Sequence, residues 1–397
     1  MSVFLVGCAQ DGEWRKALTS GEKALKDGRY DEARQDFLKA QQGAQRLEPD
    51  QDGPYMAVSI DRLCHLYFVQ GQYTDAEPLC RQALTIREQT AGATHPDTAT
   101  SLIHLSNVLQ AQRRYARAEE LLKRALAIRV EALGPGNPDT VNAMVQLGDL
   151  YREIGRREQA RTMYVQALPI LEETLGSEHV RVAELLNVIG ESHVALGDYG
   201  EARPVLQRAL VIQEHALGAD HLAVATTLNS LGLVLATEGH YEGAVSVHQR
   251  VVEILERKKG EEDPAVASSL SNLARVYELQ GRYTKSEALH RQALDIREKT
   301  LGPGHPHVAR TRTSLAGVFE AEGKLSEAQE QYQRAIQIYE STKGQYQAAY
   351  AKALKGYATL LKRQQKPEEA ERLEQRANGI LSQASRSGQA STTAGLE

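Results

Sequence analysis

The sequence predicts an all-α solenoid of about nine stacked antiparallel helix pairs, and three observations lead to this prediction. A segment of the type Gly-x-Tyr-x-x-Ala recurs nine times along the 397 residues, first after 43 residues and then every 42. Apolar positions between these segments follow the 3.6-residue period of a helix. No segment alternates apolar and polar residues over the length of a strand. Because such units stack only on their neighbours, we expect one long array rather than several globular domains.

Composition excludes several classes of protein. The formal charge is −5, from 47 basic and 52 acidic side chains, which is too balanced for a nucleic-acid-binding surface. No run of 18 apolar residues could form a membrane-spanning helix. Three cysteines are too few for a disulfide scaffold or a cysteine-rich zinc fold.

Residues 1–13 are predicted to be a short N-terminal segment ahead of the array. Their Leu5-Val6-Gly7-Cys8 resembles a bacterial lipobox, in which the cysteine is lipidated. A polar stretch follows Cys8, as a tether requires, but a basic leader and a full apolar stretch do not precede it. A true start upstream of Met1 would supply them, and the alternative is an ordinary frayed N-terminus with a chance cysteine. The resemblance implies a lipid anchor at Cys8 and a location at the bacterial cell envelope.

The repeat array covers residues 14–381 in nine units. Each unit is centred on a turn residue, and these residues are Tyr30, Tyr73, Tyr115, Arg157, Tyr199, Tyr241, Tyr283, Leu325 and Pro367. A second marker recurs with the same spacing and has the sequence of a helix start, as in His95-Pro96. A glycine that ends the preceding helix, such as Gly134, comes shortly before most of these starts. Each unit should therefore contain a first helix, a tight turn, a second helix and a loop.

Small and large side chains are paired within each unit. Nine residues before the turn residue lies a small side chain such as Gly190, and seven after it lies a large one such as Leu206. These positions should face each other and let the two helices approach closely. In one unit they are Cys64 and Cys80, which an exported chain could join if their Cα atoms lie within about 7 Å. We expect instead two buried thiols that pack as small hydrophobes.

The array resembles the tetratricopeptide repeat family in the order of its small, Tyr, Ala, large and Ala positions, as in Gly190, Tyr199, Ala202, Leu206 and Ala209. Its 42-residue unit, with Gln-Ala-Leu-Asp-Ile-Arg-Glu at 292–298, is similar to the kinesin light chain type, which is also common in bacterial multi-repeat proteins. The resemblance implies a right-handed α-solenoid whose first helices line a concave groove. In this family that groove binds extended or helical peptide segments.

The candidate groove is defined by positions 15, 12, 8 and 5 residues before each turn, and Asn272 is added from the segment Ser271-Asn272-Leu273. Asparagine is frequent there, and an amide can both donate to and accept from a peptide backbone. In the family that this array resembles, a Leu-Asn-Asn-Leu segment does this, and it survives here in part as Leu186-Asn187 and Leu228-Asn229. The alternative is a solvated helix face, which any solenoid has. The candidate groove residues are Asn107, Asn142, Asp149, Arg152, Glu184, Asn187, Glu191, Thr226, Asn229, Asn272, Arg275 and Arg310.

We find no catalytic constellation in the sequence. His-Glu-x-x-His, Gly-x-x-x-x-Gly-Lys-Ser/Thr and Gly-x-Ser-x-Gly motifs do not occur. His95, His179, His221 and His305 are predicted helix caps on separate loops, and His248 and His290 occupy the large packing position of a second helix. We therefore expect no metal site and no cofactor.

The predicted function is a non-catalytic scaffold that binds a peptide or protein partner in its groove. It would contact no nucleic acid, and a membrane only through Cys8. The alternative is a cytoplasmic regulatory or sensor module of a signalling system. An enzyme hidden in the repeats is disfavoured, because periodic packing accounts for almost the whole chain. The last residues, 382–397, are rich in Ser, Gly, Ala, Gln and Thr and are expected to form a disordered tail.

Overall fold

A computed structural model describes residues 2–47, 53–342 and 344–386, with side chains described between 12 and 383 in those ranges. This part of the chain consists of 18 helices in consecutive antiparallel pairs and contains no strand. The predicted all-α solenoid of nine helix pairs is therefore confirmed.

The helices alternate between first and second positions of a pair. The first helices are α1 Ser2–Lys26, α3 Pro54–Val69, α5 Pro96–Ala111, α7 Pro138–Glu153, α9 Val180–Leu196, α11 Leu222–Thr237, α13 Pro264–Leu279, α15 Pro306–Ala321 and α17 Gln347–Arg363. The second helices are α2 Tyr30–Leu47, α4 Tyr73–Thr90, α6 Tyr115–Leu133, α8 Arg157–Leu175, α10 Tyr199–Leu217, α12 Tyr241–Lys259, α14 Tyr283–Leu301, α16 Leu325–Glu340 and α18 Pro367–Arg386.

The chain divides into two compact units. Unit 1 is Met1–Ser177 with α1 to α8, and unit 2 is Glu178–Glu397 with α9 to α18. Within each unit, a second helix packs between its own first helix and the next one. First helices of adjacent pairs also touch, as α3 does with α5 in unit 1 and α15 with α17 in unit 2. Each unit therefore presents a surface made of neighbouring first helices.

Local chemistry sets the helix ends. The side chain of Asn137 accepts from the Asp139 N–H at 2.8 Å, and His95 Nδ1 accepts from the Asp97 N–H at 3.2 Å. These contacts satisfy N–H groups that the first turn leaves unpaired, as the predicted caps require. At the other end, α6 ends at Gly134 with φ 83°, a backbone conformation that glycine adopts without a Cβ clash.

The two helices of a pair meet at the predicted small and large positions, 16 residues apart. A Cβ added to Gly148 would lie 2.5 Å from Tyr164, and one added to Gly190 would lie 2.5 Å from Leu206. Each glycine thus leaves a space on the first helix, and the large side chain of the second helix fills it. His248 and His290 occupy the large position and are 3% and 2% exposed, which confirms them as packing residues.

The expectation of two thiols in this position was wrong. Cys64 and Cys80 form a disulfide bond between α3 and α4, with their Cα atoms 5.4 Å apart. That separation lies inside the range that a disulfide needs. The bond takes the place of the small and large contact that other pairs make.

The ends of the chain differ in part from the expected boundaries. Helix α1 runs from Ser2 across the boundary expected after residue 13, and the side chain of Cys8 lies outside the described residues. Helix α18 continues to Arg386, five residues past the expected end of the array at 381. The rest of the predicted tail, 387–397, lies outside the described residues.

Candidate functional site

The first-helix surface, as we call it here, comprises the residues 15, 12, 11, 8 and 5 positions before each turn residue. They recur on one side of each first helix because a helix returns to the same side after three, four or seven residues. In unit 1 they lie on α1, α3, α5 and α7, and in unit 2 on α9, α11, α13, α15 and α17. We describe the two units separately.

The surface of unit 1 begins with a buried charge network around Asp61, which is 1% exposed. Arg87 Nη1 donates to Asp61 Oδ2 at 2.5 Å and to Ser101 Oγ at 2.6 Å. His104 Nδ1 lies 3.1 Å from the other carboxylate oxygen. Burial by itself raises the pKa of Asp61, but His104 and then Arg87 outweigh it and hold that pKa below its ordinary value. One arginine thereby joins helices α3, α4 and α5.

Two histidines lie beside this network. The ring centres of His65 and His104 are 6.2 Å apart, and His65 also stacks against Phe68. Burial, followed by the charges of His104 and Arg62, lowers the pKa of His65. The part of the chain that the structure describes contains no group of three or more His, Cys, Asp or Glu side chains that could hold a metal ion.

The four residues predicted for the groove of unit 1 lie on α5 and α7, and two of them bind each other. Asp149 Oδ1 accepts from Arg152 Nη2 at 3.1 Å and from the Tyr164 hydroxyl at 2.8 Å. Asn107 and Asn142 are half-buried. The charges of Asp149 and Arg152 are therefore mutually compensated.

In unit 2, the predicted asparagines connect neighbouring first helices. Asn187 Nδ2 on α9 donates to Glu191 Oε1 at 2.9 Å, and its Oδ1 lies 3.0 Å from the Thr227 hydroxyl on α11. Asn272 Nδ2 on α13 donates to Asn229 Oδ1 on α11 at 3.0 Å. The amides that the sequence selects are thus brought together, but they spend part of their hydrogen-bonding capacity on one another. Glu184 and Thr226, also predicted, are exposed on α9 and α11.

The amide pair of Asn229 and Asn272 lines a cavity of about 300 Å³ on α11, α12 and α13, which we call the apolar cavity. Its other lining residues are Leu233, Ala236, Thr237, Tyr241, His248, Arg275, Val276 and Leu279. His248 is 3% exposed, and its Nδ1 has no hydrogen-bond partner among the residues that the structure describes. Burial lowers the pKa of His248 to about 4, so the ring is neutral at pH 7. This lining combines four aliphatic side chains with polar groups that can orient a ligand, as binding sites for small groups do.

A second cavity of about 310 Å³ lies on α15, α16, α17 and the segment before α17, and we call it the basic cavity. It is lined by Pro306, His307, Arg310, Thr313, Ser314, Tyr339, Tyr346, Ala348, Ala349 and Lys352. Arg310 was predicted. Lys352 was missed, although it lies 42 residues after Arg310 and so has the same position in the next pair. Extending the periodic pattern by one unit would have identified it.

The basic cavity concentrates positive charge. Partial burial of its ammonium group, followed by the charges of Arg275 and Arg310, lowers the pKa of Lys352, and Glu278 opposes this shift. Glu278 Oε1 in turn accepts from Ser286 Oγ and lies 2.8 Å from His290 Nε2. Two cations and one carboxylate therefore act on Lys352.

These groups can hold a ligand through hydrogen bonds, apolar contact and charge.

None of the helices in the described residues combines the length and apolar character needed to cross a membrane.

The comparisons with known proteins agree with this fold. A family model described as Tetratricopeptide repeat matches residues 55–129, 104–173, 181–257 and 265–341. The apo form of the quorum sensor NprR from B. thuringiensis is 12% identical, with 94% of this chain and 99% of that chain covered and a TM-score of 0.64. A Signal Transduction ATPase with Numerous Domains from Pyrococcus horikoshii, which has a tetratricopeptide repeat sensor, is 14% identical over 95% of this chain, with a TM-score of 0.62.

This chain covers 54% of the Pyrococcus horikoshii chain, about half of its length. A kinesin light chain-like protein from Podosopora anserina, with nearly identical TPR-like repeats, is 26% identical over 52% of this chain and 98% of that chain, with a TM-score of 0.48. At such identities the NprR and Pyrococcus horikoshii structures show the fold alone. No curated protein sequence matches the chain.

Proposed function

Because the chain belongs to the tetratricopeptide repeat family, we propose that it is a non-catalytic scaffold that binds a peptide or protein partner on the first-helix surface of unit 2. The family and the fold support a protein-interaction or regulatory repeat scaffold. The observation that carries the finer proposal is the apolar cavity, where the amide pair of Asn229 and Asn272 borders a wall of apolar side chains.

Each part of this cavity has a role in holding a polypeptide. The amides can bond to a peptide backbone whatever its sequence, because every peptide unit offers one donor and one acceptor. Leu233, Val276 and Leu279 supply apolar contact for one side chain of the partner. Leu279 is 49% exposed, so covering it would remove apolar surface from water.

Selection of peptides from a random library on the purified chain tests the proposal, followed by affinity measurements with two matched variants. Leu279→Asp places a charge at the cavity without disturbing a buried residue, and we expect it to weaken binding about tenfold or more. Val211→Asp is the control, since Val211 is also an exposed apolar residue of unit 2, at 61%, and does not line the cavity. Equal effects of the two variants, or no selected peptide, would contradict the proposal.

The amide pair needs a test of its own. Asn229→Ala with Asn272→Ala should weaken the selected peptides by about 1–3 kcal/mol. Asn187→Ala serves as the comparison, because Asn187 bonds to Glu191 and Thr227 and does not line the cavity. Peptide affinity that falls only in Asn187→Ala would move the site to α9.

We also propose that Cys8 is lipidated and tethers the scaffold to the bacterial cell envelope. The support is the Leu5-Val6-Gly7-Cys8 sequence. Mass spectrometry of the protein made from its native gene should find a lipid on Cys8, and Cys8→Ser should move the protein from the membrane fraction to the soluble fraction. An unmodified Cys8 in a soluble protein would favour the alternative, a cytoplasmic regulatory or sensor module.

A further inference from the structure

A third cavity, of about 380 Å³, lies between α1 and α2 of unit 1, and we call it the α1–α2 cavity. Its lining residues are Glu13, Trp14, Lys16, Ala17, Ser20, Asp36, Lys39, Gln42, Gly43 and Arg46. None of them belongs to the first-helix surface, which on α1 comprises residues 15, 18, 19, 22 and 25. Peptide binding on that surface therefore gives this cavity no role.

Small side chains and a fixed ring shape the cavity. Ala17 and Gly43 add little bulk to its lining, and a Cβ added to Gly43 would lie 3.5 Å from the Cβ of Trp14. Trp14 is 9% exposed, and its indole N–H donates to Ser59 Oγ at 2.9 Å. The space between the two helices therefore has a defined wall, and its volume lies in the range of sites that hold a small ligand or group.

One of the two carboxylates in this lining is already engaged. Asp36 Oδ2 accepts from Ser20 Oγ at 2.6 Å, and Asp36 Oδ1 accepts from Lys39 Nζ at 3.0 Å. The hydrogen bond from Ser20, opposed by burial and supported by Lys39, holds the pKa of Asp36 below its ordinary value. Asp36 and Lys39 therefore compensate each other's charge.

The remaining charged groups of the cavity are Lys16, Arg46 and Glu13. All three are exposed, and none of them forms a hydrogen bond or an ion pair with another residue that the structure describes. Arginine offers a planar fork of donors that fits two oxygens of a phosphate, and lysine adds a compact positive charge. A carboxylate such as that of Glu13 accepts hydrogen bonds from hydroxyl groups. The lining therefore suits a phosphate that has hydroxyl groups beside it.

The position of the cavity along α1 indicates where such a group would come from. Helix α1 runs without a break from Ser2 to Lys26, so Cys8 and Glu13 lie on the same helix, about 8 Å apart along its axis. The headgroup layer of a bilayer is about 5–8 Å thick on each side. A lipid on Cys8 would thus bring the near end of the cavity to the level of the headgroups.

We propose that the α1–α2 cavity binds the phosphoglycerol headgroup of an anionic lipid in the membrane that Cys8 anchors. The inference rests on the proposed lipidation of Cys8 and adds a second membrane contact to it. Lys16 and Arg46 bind the phosphate through charge-assisted hydrogen bonds, and Glu13 accepts from the glycerol hydroxyls. The lining carries three basic and two acidic side chains, a formal charge of +1, which matches the single negative charge of this headgroup. A lipid together with a basic contact anchors a protein more stably than either alone.

Vesicle binding by the full chain carrying Cys8→Ser tests this inference, because no lipid on the protein then contributes. We expect vesicles of phosphatidylglycerol and phosphatidylcholine to bind the chain about tenfold or more tightly than vesicles of phosphatidylcholine alone, and salt to remove this advantage. The formal charge of −5 gives the chain no general attraction to an anionic surface, so such binding reports a local site. Lys16→Glu with Arg46→Glu should lower the affinity for the anionic vesicles about tenfold or more.

The matched control is Lys23→Glu with Arg34→Glu, which changes the net charge equally on the same two helices. Both residues are exposed and neither lines the cavity. Equal losses in the two double variants would overturn the proposal, as would equal binding of the two kinds of vesicle. Glycerol 3-phosphate that binds the chain as tightly as the anionic vesicles do would assign the cavity to a soluble phosphate ester, and the lipid proposal would be wrong.

The headgroup site and the lipid anchor fail in different experiments. If mass spectrometry finds a lipid on Cys8 but the vesicles show no preference for phosphatidylglycerol, the headgroup site is wrong and the tether stands. If Cys8 is unmodified in the native protein, the tether is wrong, whereas vesicle binding that depends on Lys16 and Arg46 would still support the headgroup site.

Discussion

The first-helix surface carries charge differently in the two units, although the same register builds it. In unit 1 the carboxylate of Asp61 is buried and bound by Arg87, so the charge is compensated inside the protein. In unit 2 Lys352 lines a cavity, where partial burial followed by the charges of Arg275 and Arg310 lowers its pKa, and Glu278 opposes this shift. Register therefore sets where a side chain lies. Its neighbours on adjacent helices decide which charges act on it.

The interior of a helix pair shows a parallel difference. The position of Cys64 and Cys80 in unit 1 is held by a covalent bond, whereas the same position in unit 2 holds the contact between Gly232 and His248. One helix pair of unit 1, α3 and α4, is thus joined by a bond that depends on oxidation. Unit 2 buries the titratable imidazole ring of His248 there, so the stability of unit 2 should depend on pH.

The largest effect is expected from Asp61→Ala, which leaves Arg87 buried without its carboxylate. Removing one partner of a buried ion pair costs about 3–5 kcal/mol. Trp14 reports this locally in urea unfolding, because it is the single tryptophan and its indole N–H donates to Ser59 of α3. Asn187→Ala, at the same register position in unit 2, should cost only about 1 kcal/mol. Comparable losses in the two variants would contradict the contrast between the units.

Breaking the disulfide should have the next largest effect. It closes a loop of 16 residues, so reduction should destabilise unit 1 by about 3 kcal/mol on the chain-entropy model. The double variant Cys64→Gly with Cys80→Leu recreates the Gly190 and Leu206 contact of unit 2 and should be insensitive to reductant. A Trp14 unfolding midpoint that reductant leaves unchanged in the wild type would refute this prediction.

The pH dependence of unit 2 comes next. The folded-state pKa of His248 is about 4, below the value of roughly 6.5 for an unfolded chain, because burial disfavours the charged ring. The stability contribution is therefore complete above pH 6.5 and declines as the pH falls toward 4. Between pH 7 and pH 5 the chain should lose about 2 kcal/mol relative to His248→Leu, which imitates Leu206. Urea unfolding followed by circular dichroism measures this, and parallel pH profiles of the two proteins would disprove it.

Much of this fold could be predicted from periodicity, because each helix pair repeats the same packing. The turn residues, the caps such as Asn137 and the small and large pairs follow from spacing alone. The disulfide could not be predicted, since it depends on a Cα separation of 5.4 Å that only the helix packing sets. The prediction that Cys64 and Cys80 remain thiols was therefore wrong.

The candidate site was less predictable than the fold. Register placed Asn229, Asn272 and Arg310 on the cavities of unit 2. The register position could not show that Asp149 and Arg152 bind each other instead of a ligand. Opposite charges three residues apart on a helix also pair on ordinary solvated faces. Register identifies Lys352 once the pattern is extended to α17, but it could not show that the charges of Arg275 and Arg310 act on this lysine.

The smallest expected effect sharpens the comparison most directly. If repulsion from neighbouring cations outweighs attraction at Lys352, then removing its charge should not destabilise the protein. Lys352→Gln should raise stability by a few tenths of a kcal/mol at low salt, because it relieves repulsion from Arg275 and Arg310, and salt should erase this gain. Lys324→Gln is the opposite case, because Lys324 Nζ donates to Glu287 Oε2 at 2.7 Å. Loss of this contact should lower the stability of the protein. A loss of stability in Lys352→Gln would mean that its charge is already compensated as that of Arg87 is, and the two units would then use their charges alike.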